Sequence, residues 1–300
     1  MRSMFSEVSK NKFSSVLLML SFVAILILIG YAFGIIFTGN AYFGLSIALF
    51  ISIIYTLAGY FSGDKMILSI AGAKEASKKD YPHFVNEVEG LALAAGIPAP
   101  KPYVIEDSAL NAFATGRDPK HASITVTTGL LKKMNREELD GVLAHEMSHI
   151  KNYDIRFMML AAVLVGVVAL LSDFMLRSFL WGKHSSSNDK GNVNLIIIAI
   201  GLVLAILAPI FVQLIKFAIS RRREFMADAS GAILTRYPPG LANALDKIKN
   251  DPDPLVDNAN RAIAPLFISN PFRKTKKTKI SAIFSTHPPI EERIKRLREM

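Results

Sequence analysis

The chain carries, from Asn135 to Asn152, the sequence NREELDGVLAHEMSHIKN, which predicts one continuous helix. Asn135 is followed three residues later by Glu138, a capping-box pattern that marks the first turn of a helix. His145 and His149 are four residues apart, so a helix places both imidazoles on the same face. Two imidazoles in this arrangement can bind one zinc ion. The sequence therefore predicts a metal-binding helix.

Glu146 directly follows the first of these histidines. On the helix its carboxylate lies beside the two imidazoles, where it can accept a proton from an attacking water instead of binding the metal. The chain has 0 Cys, which excludes a thiolate nucleophile, an iron–sulfur cluster and Cys-ligated zinc. We therefore expect one Zn²⁺ per chain, held by His and carboxylate, with Glu146 as general base. The alternative is a pair of surface histidines beside a solvated glutamate.

The helix stands among long apolar runs. Hydrophobic residues make up 51% of the chain and the mean hydropathy is +0.33, which is not typical of a soluble protein. A membrane-spanning helix needs about 20 apolar residues. Four runs qualify, at residues 13–37, 41–61, 157–181 and 193–215. The third is the weakest, because Asp173 and Arg177 interrupt it. These runs predict two transmembrane helices in residues 13–61 and a transmembrane hairpin in residues 157–219.

The basic residues favour one orientation of these helices. The chain has 35 Lys and Arg against 25 Asp and Glu, a net charge of +10, and most of the basic residues lie in residues 1–12, 62–156 and 220–300. Their position beside apolar runs favours a membrane surface over nucleic acid as the partner. The positive-inside rule predicts a multi-pass protein of the plasma (inner) membrane, with both termini and the active site in the cytoplasm. The sequence predicts no particular oligomeric state.

The polar segments predict a cytoplasmic α+β domain built from two pieces. Residues 1–12 form a cytoplasmic N-terminus, and residues 62–156 and 220–300 form the two pieces of the domain. The first piece predicts a helix over 82–95, capped by Asp80 and ended by Gly96, followed by three strands and the metal-binding helix. Those strands are predicted at 102–106, 111–115 and 122–128. The second predicts a helix after Ser220, a turn at 237–240 and a charged C-terminal helix. The expected fold class is a mainly α membrane protein with four transmembrane helices.

A third metal ligand must lie on the same side of the membrane as His149. His184 fails this test, because one crossing separates it from the motif, whereas Glu224 and His287 both pass. Residue chemistry alone does not choose between a site with two His and one Glu and a site with three His. Glu224 and Asp228 are four residues apart on a predicted helix, so one can bind zinc while the other holds a ligand imidazole by its free N–H.

Three motifs together resemble the M48 family of membrane zinc metallopeptidases. They are His145-Glu146-x-x-His149 after a β-rich segment, Glu224-Phe-Met-Ala-Asp228, and the late sequence Ser285-Thr-His287-Pro-Pro289. The resemblance implies a zincin-like domain in which His145, His149 and Glu224 bind zinc and Glu146 is the general base. It also implies that Asp228 supports a ligand histidine and that His287 donates to the oxyanion, with Arg293 as a weaker candidate in the same region.

The resemblance extends to substrates. Asn111-Ala112-Phe-Ala resembles the edge strand of that family, so Asn111 and Ala112 are expected to pair with the backbone of a bound peptide. The four-span layout resembles the family's bacterial proteases of membrane-protein quality control. It implies misfolded or unassembled membrane proteins as substrates, in contact with the lipid bilayer.

Two other functions are compatible with parts of the sequence. A membrane scaffold or chaperone could keep the zinc only as a structural element, but a free Glu146 beside an open coordination position argues against it. A transporter is suggested by Asp173 and Arg177 in the third apolar run, although this pair can simply neutralise itself. The basic residues at 273–279 suggest contact with anionic lipid or a solvated loop.

Overall fold

The computed structural model describes residues 4–38, 40–164, 221–252, 256, 263–269, 271 and 288–300. The helices with defined bounds in this part of the chain are α1 (Met4–Thr38), α2 (Ala41–Ile70), α3 (Pro82–Ala95), α4 (Thr128–Lys133), α5 (Arg136–Lys151), α6 (Arg221–Thr235), α7 (Pro238–Lys249) and α8 (Ile290–Arg298). The strands are β1 (Lys74–Glu75), β2 (Lys101–Ile105), β3 (Ala112–Gly116) and β4 (Ala122–Thr127). Residues 154–164 are also helical.

The first two apolar runs form the long helices α1 and α2. Within the described residues one helix, α2, is long and apolar enough to cross a membrane; its most apolar window has a mean hydropathy of 2.0 and is 11% buried. Gly59 and Gly63 of α2 pack against Val163 and Met159 at the start of the third apolar run. Small residues four apart permit this close approach of helices. The predicted crossings in residues 165–219 lie outside the described residues, so the four-span layout stays a prediction.

The two long helices extend further than the apolar runs themselves. α1 begins at Met4, so most of the predicted N-terminal tail 1–12 is helical, and α2 continues past Phe61 to Ile70. The first strand of the sheet, β1, starts at Lys74. A connection of only three residues, 71–73, therefore separates a candidate membrane helix from the sheet.

The four strands form one mixed sheet in the order β1-β2-β4-β3. The central pair β2 and β4 is parallel, and the outer strands β1 and β3 are antiparallel to their neighbours. All of β3 and β4 is buried, with Ile124 and Val126 fully enclosed. The sheet supplies one wall of a core whose other walls are α3, α5 and α7. The domain is thus a mixed α/β structure with β3 as an edge strand.

Helix α5 is the centre of this domain. Its capping box forms as predicted, because Asn135 accepts from the Glu138 backbone N–H and the Glu138 carboxylate accepts from the Asn135 N–H. Two glycines let its neighbours approach closely. A Cβ on Gly141 would lie 2.5 Å from the backbone N of Leu241 in α7, and one on Gly231 in α6 would lie 3.0 Å from the His145 backbone N. Helices α6 and α7 therefore rest directly on the backbone of α5.

Most local predictions are confirmed, and two are corrected. Helix α3 spans 82–95 and ends at Gly96 in the left-handed conformation (φ 69°), but the cap at Asp80 is wrong, since Tyr81 occupies that position without a side-chain bond. The predicted turn at 237–240 is the first turn of α7 instead. Pro238 and Pro239 are compatible with a helix there, because the first N–H groups of a helix have no intrahelical partner.

Candidate metal centre

The two motif histidines converge on one point. His145 and His149 are 1% and 4% exposed, and their Nε2 atoms lie 3.2 Å apart. The rings are nearly perpendicular, with an interplanar angle of 88°. Such a short distance between two Nε2 atoms requires either a shared proton or a shared cation.

Glu224 completes the group from the first turn of α6. Its carboxylate oxygens lie 3.8 Å from His145 Nε2 and 3.5 Å from His149 Nε2. Donors about 2.0–2.1 Å from a tetrahedral zinc lie roughly 3.3 Å apart, so the three residues have the spacing of a ligand set. His145, His149 and Glu224 are the only group of three or more His, Asp or Glu in the described residues whose donor atoms cluster in this way.

Each histidine is held from behind by an aspartate. Asp228 Oδ1 lies 2.9 Å from His145 Nδ1, and Asp154 Oδ2 lies 3.1 Å from His149 Nδ1. A carboxylate accepts hydrogen bonds, so it favours the tautomer with the proton on Nδ1 and the lone pair on Nε2. Two lone pairs then face each other beside a carboxylate. This arrangement fits a metal cation and leaves a neutral, metal-free site electrostatically unfavourable.

The charge of the pocket also favours a cation. Buried carboxylates line the site, and two guanidinium groups contact them, those of Arg293 and Arg223. The described carboxylates are Glu146, Asp154, Glu224 and Asp228. In the described part of the chain these carboxylates outnumber the guanidinium groups that contact them, so a bound divalent cation would find favourable electrostatic surroundings. Buried charges need such pairing, because their desolvation is costly.

The pKa values of the histidines reflect this environment. Burial and the nearby Arg293 lower the pKa of His145. Burial also opposes protonation of His149, but its hydrogen bond to Asp154 and the charge of Glu224 outweigh burial and raise its pKa to about 9. The carboxylates therefore draw positive charge to the same place where a metal would bind.

Glu146 lies in the pocket, 2% exposed, and accepts a hydrogen bond from the backbone N–H of Ala114 in β3. Burial raises the pKa of Glu146 to about 7, although the nearby His149 opposes the rise. A carboxylate with a pKa near neutrality can both take and return a proton at physiological pH. A divalent cation beside it would shift the balance towards the charged form.

Arg293 of α8 lies deep in the site rather than at its surface. It is 1% exposed, and its Nε and Nη2 atoms donate to Asp228 at 2.9 and 2.7 Å. Its Nη1 atom lies 3.5 Å from Glu224 and donates to the Ile268 carbonyl at 3.2 Å. The pKa of Asp228 is lowered, because Arg293 and His145 outweigh the effect of burial. These contacts engage Arg293 with the carboxylates, whereas the sequence places it near the oxyanion.

The edge strand β3 lies beside the site but is partly covered. Asn111 and Ala112 are 2% and 1% exposed. The Ala112 carbonyl accepts from the Ile268 N–H at 2.8 Å, and the Asn111 side chain bonds both the N–H and the carbonyl of Ser269. Phe267 packs edge-on against Phe113. The chain's own residues 267–269 therefore hold the position where the sequence predicts a substrate backbone.

One residue of the site, Asp154, is missing from the sequence-based set. α5 ends at Lys151, and Tyr153 adopts a left-handed conformation (φ 61°), which is uncommon for a bulky residue. This turn brings Asp154 back against His149. A carboxylate just beyond a metal-binding helix is the available signal, but its direction depends on the turn. His287 lies outside the described residues, so its predicted role stays a prediction.

Comparison with known proteins gives a consistent assignment. The model of Peptidase family M48 matches residues 79–300. A relative from Thermoanaerobacter pseudethanolicus, named Protease HtpX homolog, is 47% identical over 100% of this chain and 98% of its own length. Proteins of the same name from Dictyoglomus turgidum and Streptococcus thermophilus are 48% and 39% identical, covering 86% and 99% of this chain and 82% and 100% of their own lengths.

A solved structure has a similar fold. The crystal structure of S. mikatae Ste24p aligns with a TM-score of 0.51 at 19% identity, covering 97% of this chain and 66% of that one. This likeness shows a shared fold, whereas the assignment of the chain to a family rests on the family model and the relatives. The resemblance inferred from the three motifs is confirmed, and the non-proteolytic scaffold is not favoured. The chain belongs to peptidase family M48 and is a zinc-dependent membrane metalloprotease.

Proposed function

We propose that His145, His149 and Glu224 bind the zinc ion and that Glu146 is the general base for hydrolysis of peptide bonds. The main support is the approach of the two Nε2 atoms to 3.2 Å while each Nδ1 faces an aspartate. This geometry leaves both lone pairs directed at one point beside Glu224. His287 does not bind zinc in this assignment, so it is available to interact with the substrate.

The residues divide the chemistry between them. When bound, zinc acts as a Lewis acid on the peptide carbonyl and lowers the pKa of water towards about 7. Glu146 accepts a proton from the attacking water and returns it to the leaving amine. His287 donates a hydrogen bond to the carbonyl oxygen as negative charge develops there. Asp228 and Asp154 keep the imidazoles in the required tautomer and orientation.

We further propose that the substrates are misfolded or unassembled membrane proteins, cut on the cytoplasmic side. The close succession of α2 and β1 supports this assignment, because it keeps the sheet beside a candidate membrane helix. The basic residues near the apolar runs support the cytoplasmic orientation.

Vesicles of opposite orientation test both proposals together. Casein added to inside-out vesicles containing the protein should be cleaved, whereas casein added to sealed right-side-out vesicles should stay intact. A membrane protein destabilised by mutation, when reconstituted with the protease, should be cleaved faster than its stable parent. Vesicles with Glu146→Gln serve as the blank. Cleavage only in right-side-out vesicles would reverse the orientation, and equal cleavage of parent and variant would contradict the quality-control role.

Asp228→Asn should weaken zinc affinity by about 10- to 100-fold, because His145 loses a charged hydrogen-bond acceptor. Competition with a chromophoric chelator measures this directly. Glu138→Gln is the matched control, since Glu138 is also a buried carboxylate with a close basic partner, Lys247 at 2.6 Å. It should keep the affinity of the wild type. Unchanged zinc affinity in Asp228→Asn would remove Asp228 from the support of the site.

A further inference from the structure

A residue of the first apolar helix reaches the metal centre. Asn11 lies on α1, two residues before the first apolar run, and is 1% exposed. Its Nδ2 atom donates to Asp154 Oδ1 at 2.6 Å and to the backbone carbonyl of Asn152 at 2.8 Å. Both hydrogens of the amide are therefore used on the turn that follows the metal-binding helix. The two partners are more than 140 residues distant in sequence.

The contact continues to a proposed zinc ligand. Asp154 uses its two oxygens separately, with Oδ2 3.1 Å from His149 Nδ1 and Oδ1 bonded to Asn11. Arg223 Nε lies 3.6 Å from the same Oδ1. A carboxylate fixed at one oxygen has little freedom to rotate, so the other oxygen is held in place. Asn11 therefore restricts the group that orients His149.

The neighbouring side chain of α1 reinforces the same turn. Lys12 places its Nζ 4.3 Å from the centre of the Tyr153 ring, a cation–π contact. Tyr153 is the residue with positive φ, a conformation that costs free energy unless its surroundings hold it. The contacts of Asn11 and Lys12 with residues 152, 153 and 154 hold the turn in this conformation. A merely structural role for Asn11 would require only its bond to Asn152, whereas the shorter of its two bonds goes to Asp154.

We propose that Asn11 is a positioning residue of the metal centre, acting on His149 through Asp154. The inference rests on the proposed role of His149 as a zinc ligand, and it makes α1 part of the catalytic unit. Ligand histidines depend on such outer contacts, whose loss weakens metal binding. Asn11 lies one contact further from the metal than Asp154. Its removal should therefore have the smaller effect.

Zinc affinity of the purified full-length protein, measured by chelator competition, tests the proposal without reference to activity. Asn11→Ala should weaken affinity by about 3- to 10-fold, and Asp154→Asn by about 10- to 100-fold. The double variant should be no weaker than Asp154→Asn alone, because coupled residues are not additive. Ser15→Ala is the matched control; Ser15 is a fully buried polar residue of α1 whose hydroxyl donates to the Asn11 backbone carbonyl. It should keep wild-type affinity.

Two results would overturn the proposal. One is an Asn11→Ala protein with the affinity of Ser15→Ala, and the other is an equal loss from Asn11→Ala in the wild-type and Asp154→Asn backgrounds. Asn11→Leu, which keeps the side-chain size but donates nothing, should reproduce the loss in a protein whose thermal unfolding stays cooperative. The visible spectrum of the Co²⁺-substituted protein should change in the same variants. Failure of the zinc assignment is distinguishable, because Asp154→Asn and Glu224→Gln would then both keep wild-type affinity.

Discussion

Glu146→Gln should abolish peptide hydrolysis while leaving one zinc bound per chain. The amide keeps the size of the carboxylate but cannot accept a proton from water, so we expect a loss of at least about 10²–10⁴-fold in kcat. Zinc should stay bound, because none of the proposed ligands is changed. The measurements are cleavage of casein or of a membrane protein and the metal content of the same preparation.

The matched control for this variant is Glu137→Gln. Glu137 lies on the same helix but is exposed, so its change should leave both rate and metal content as in the wild type. The surroundings of Glu146 explain why activity should depend on its carboxylate. Glu146 is buried, accepts the Ala114 N–H, and has a pKa of about 7. Undiminished cleavage by Glu146→Gln would refute its assignment as the base.

Glu224→Gln should release the zinc and, with it, the activity. The neutral amide is a poor ligand, and its loss leaves two imidazoles to hold the ion. We expect affinity to fall by more than the roughly 10- to 100-fold that follows loss of a group behind a ligand. Metal analysis after dialysis against a weak chelator measures the loss.

His287→Ala separates the two candidates for the third ligand. If Glu224 binds zinc, this variant should keep one metal per chain and lose rate, by about 10²–10³-fold if His287 serves the oxyanion. If a folded Glu224→Gln protein retains its zinc while His287→Ala loses it, His287 and not Glu224 is the third zinc ligand.

The sequence predicts much of the local structure because its signals are short in range. The capping box at Asn135 and Glu138 places the start of α5, Gly96 marks the end of α3, and the i, i+4 spacing aligns His145 with His149. Each of these depends on residues within one or two helical turns. The same rules misjudge Pro238, which starts a helix where a turn is predicted, since proline suits both positions.

The parts of the structure that the sequence does not predict depend on contacts between distant parts of the chain. Nothing near Asn11 in the sequence indicates that it bonds Asp154, and nothing near Arg293 indicates that it is buried against Asp228 and Glu224. The proposed third ligand shows this dependence on distant contacts. Topology reduces the choice to Glu224 or His287, but only the packing of α6 on α5 through Gly231 brings Glu224 to the histidines.

The order of these groups along the chain also sets when the protein can first act. The histidine pair leaves the ribosome well before Glu224, and Arg293, which holds Asp228, follows only in α8. Translation adds about 5–20 residues per second, so several seconds of synthesis separate the first half of the centre from the last. We therefore expect a nascent chain, or a product truncated before α8, to lack a complete centre and to be inactive.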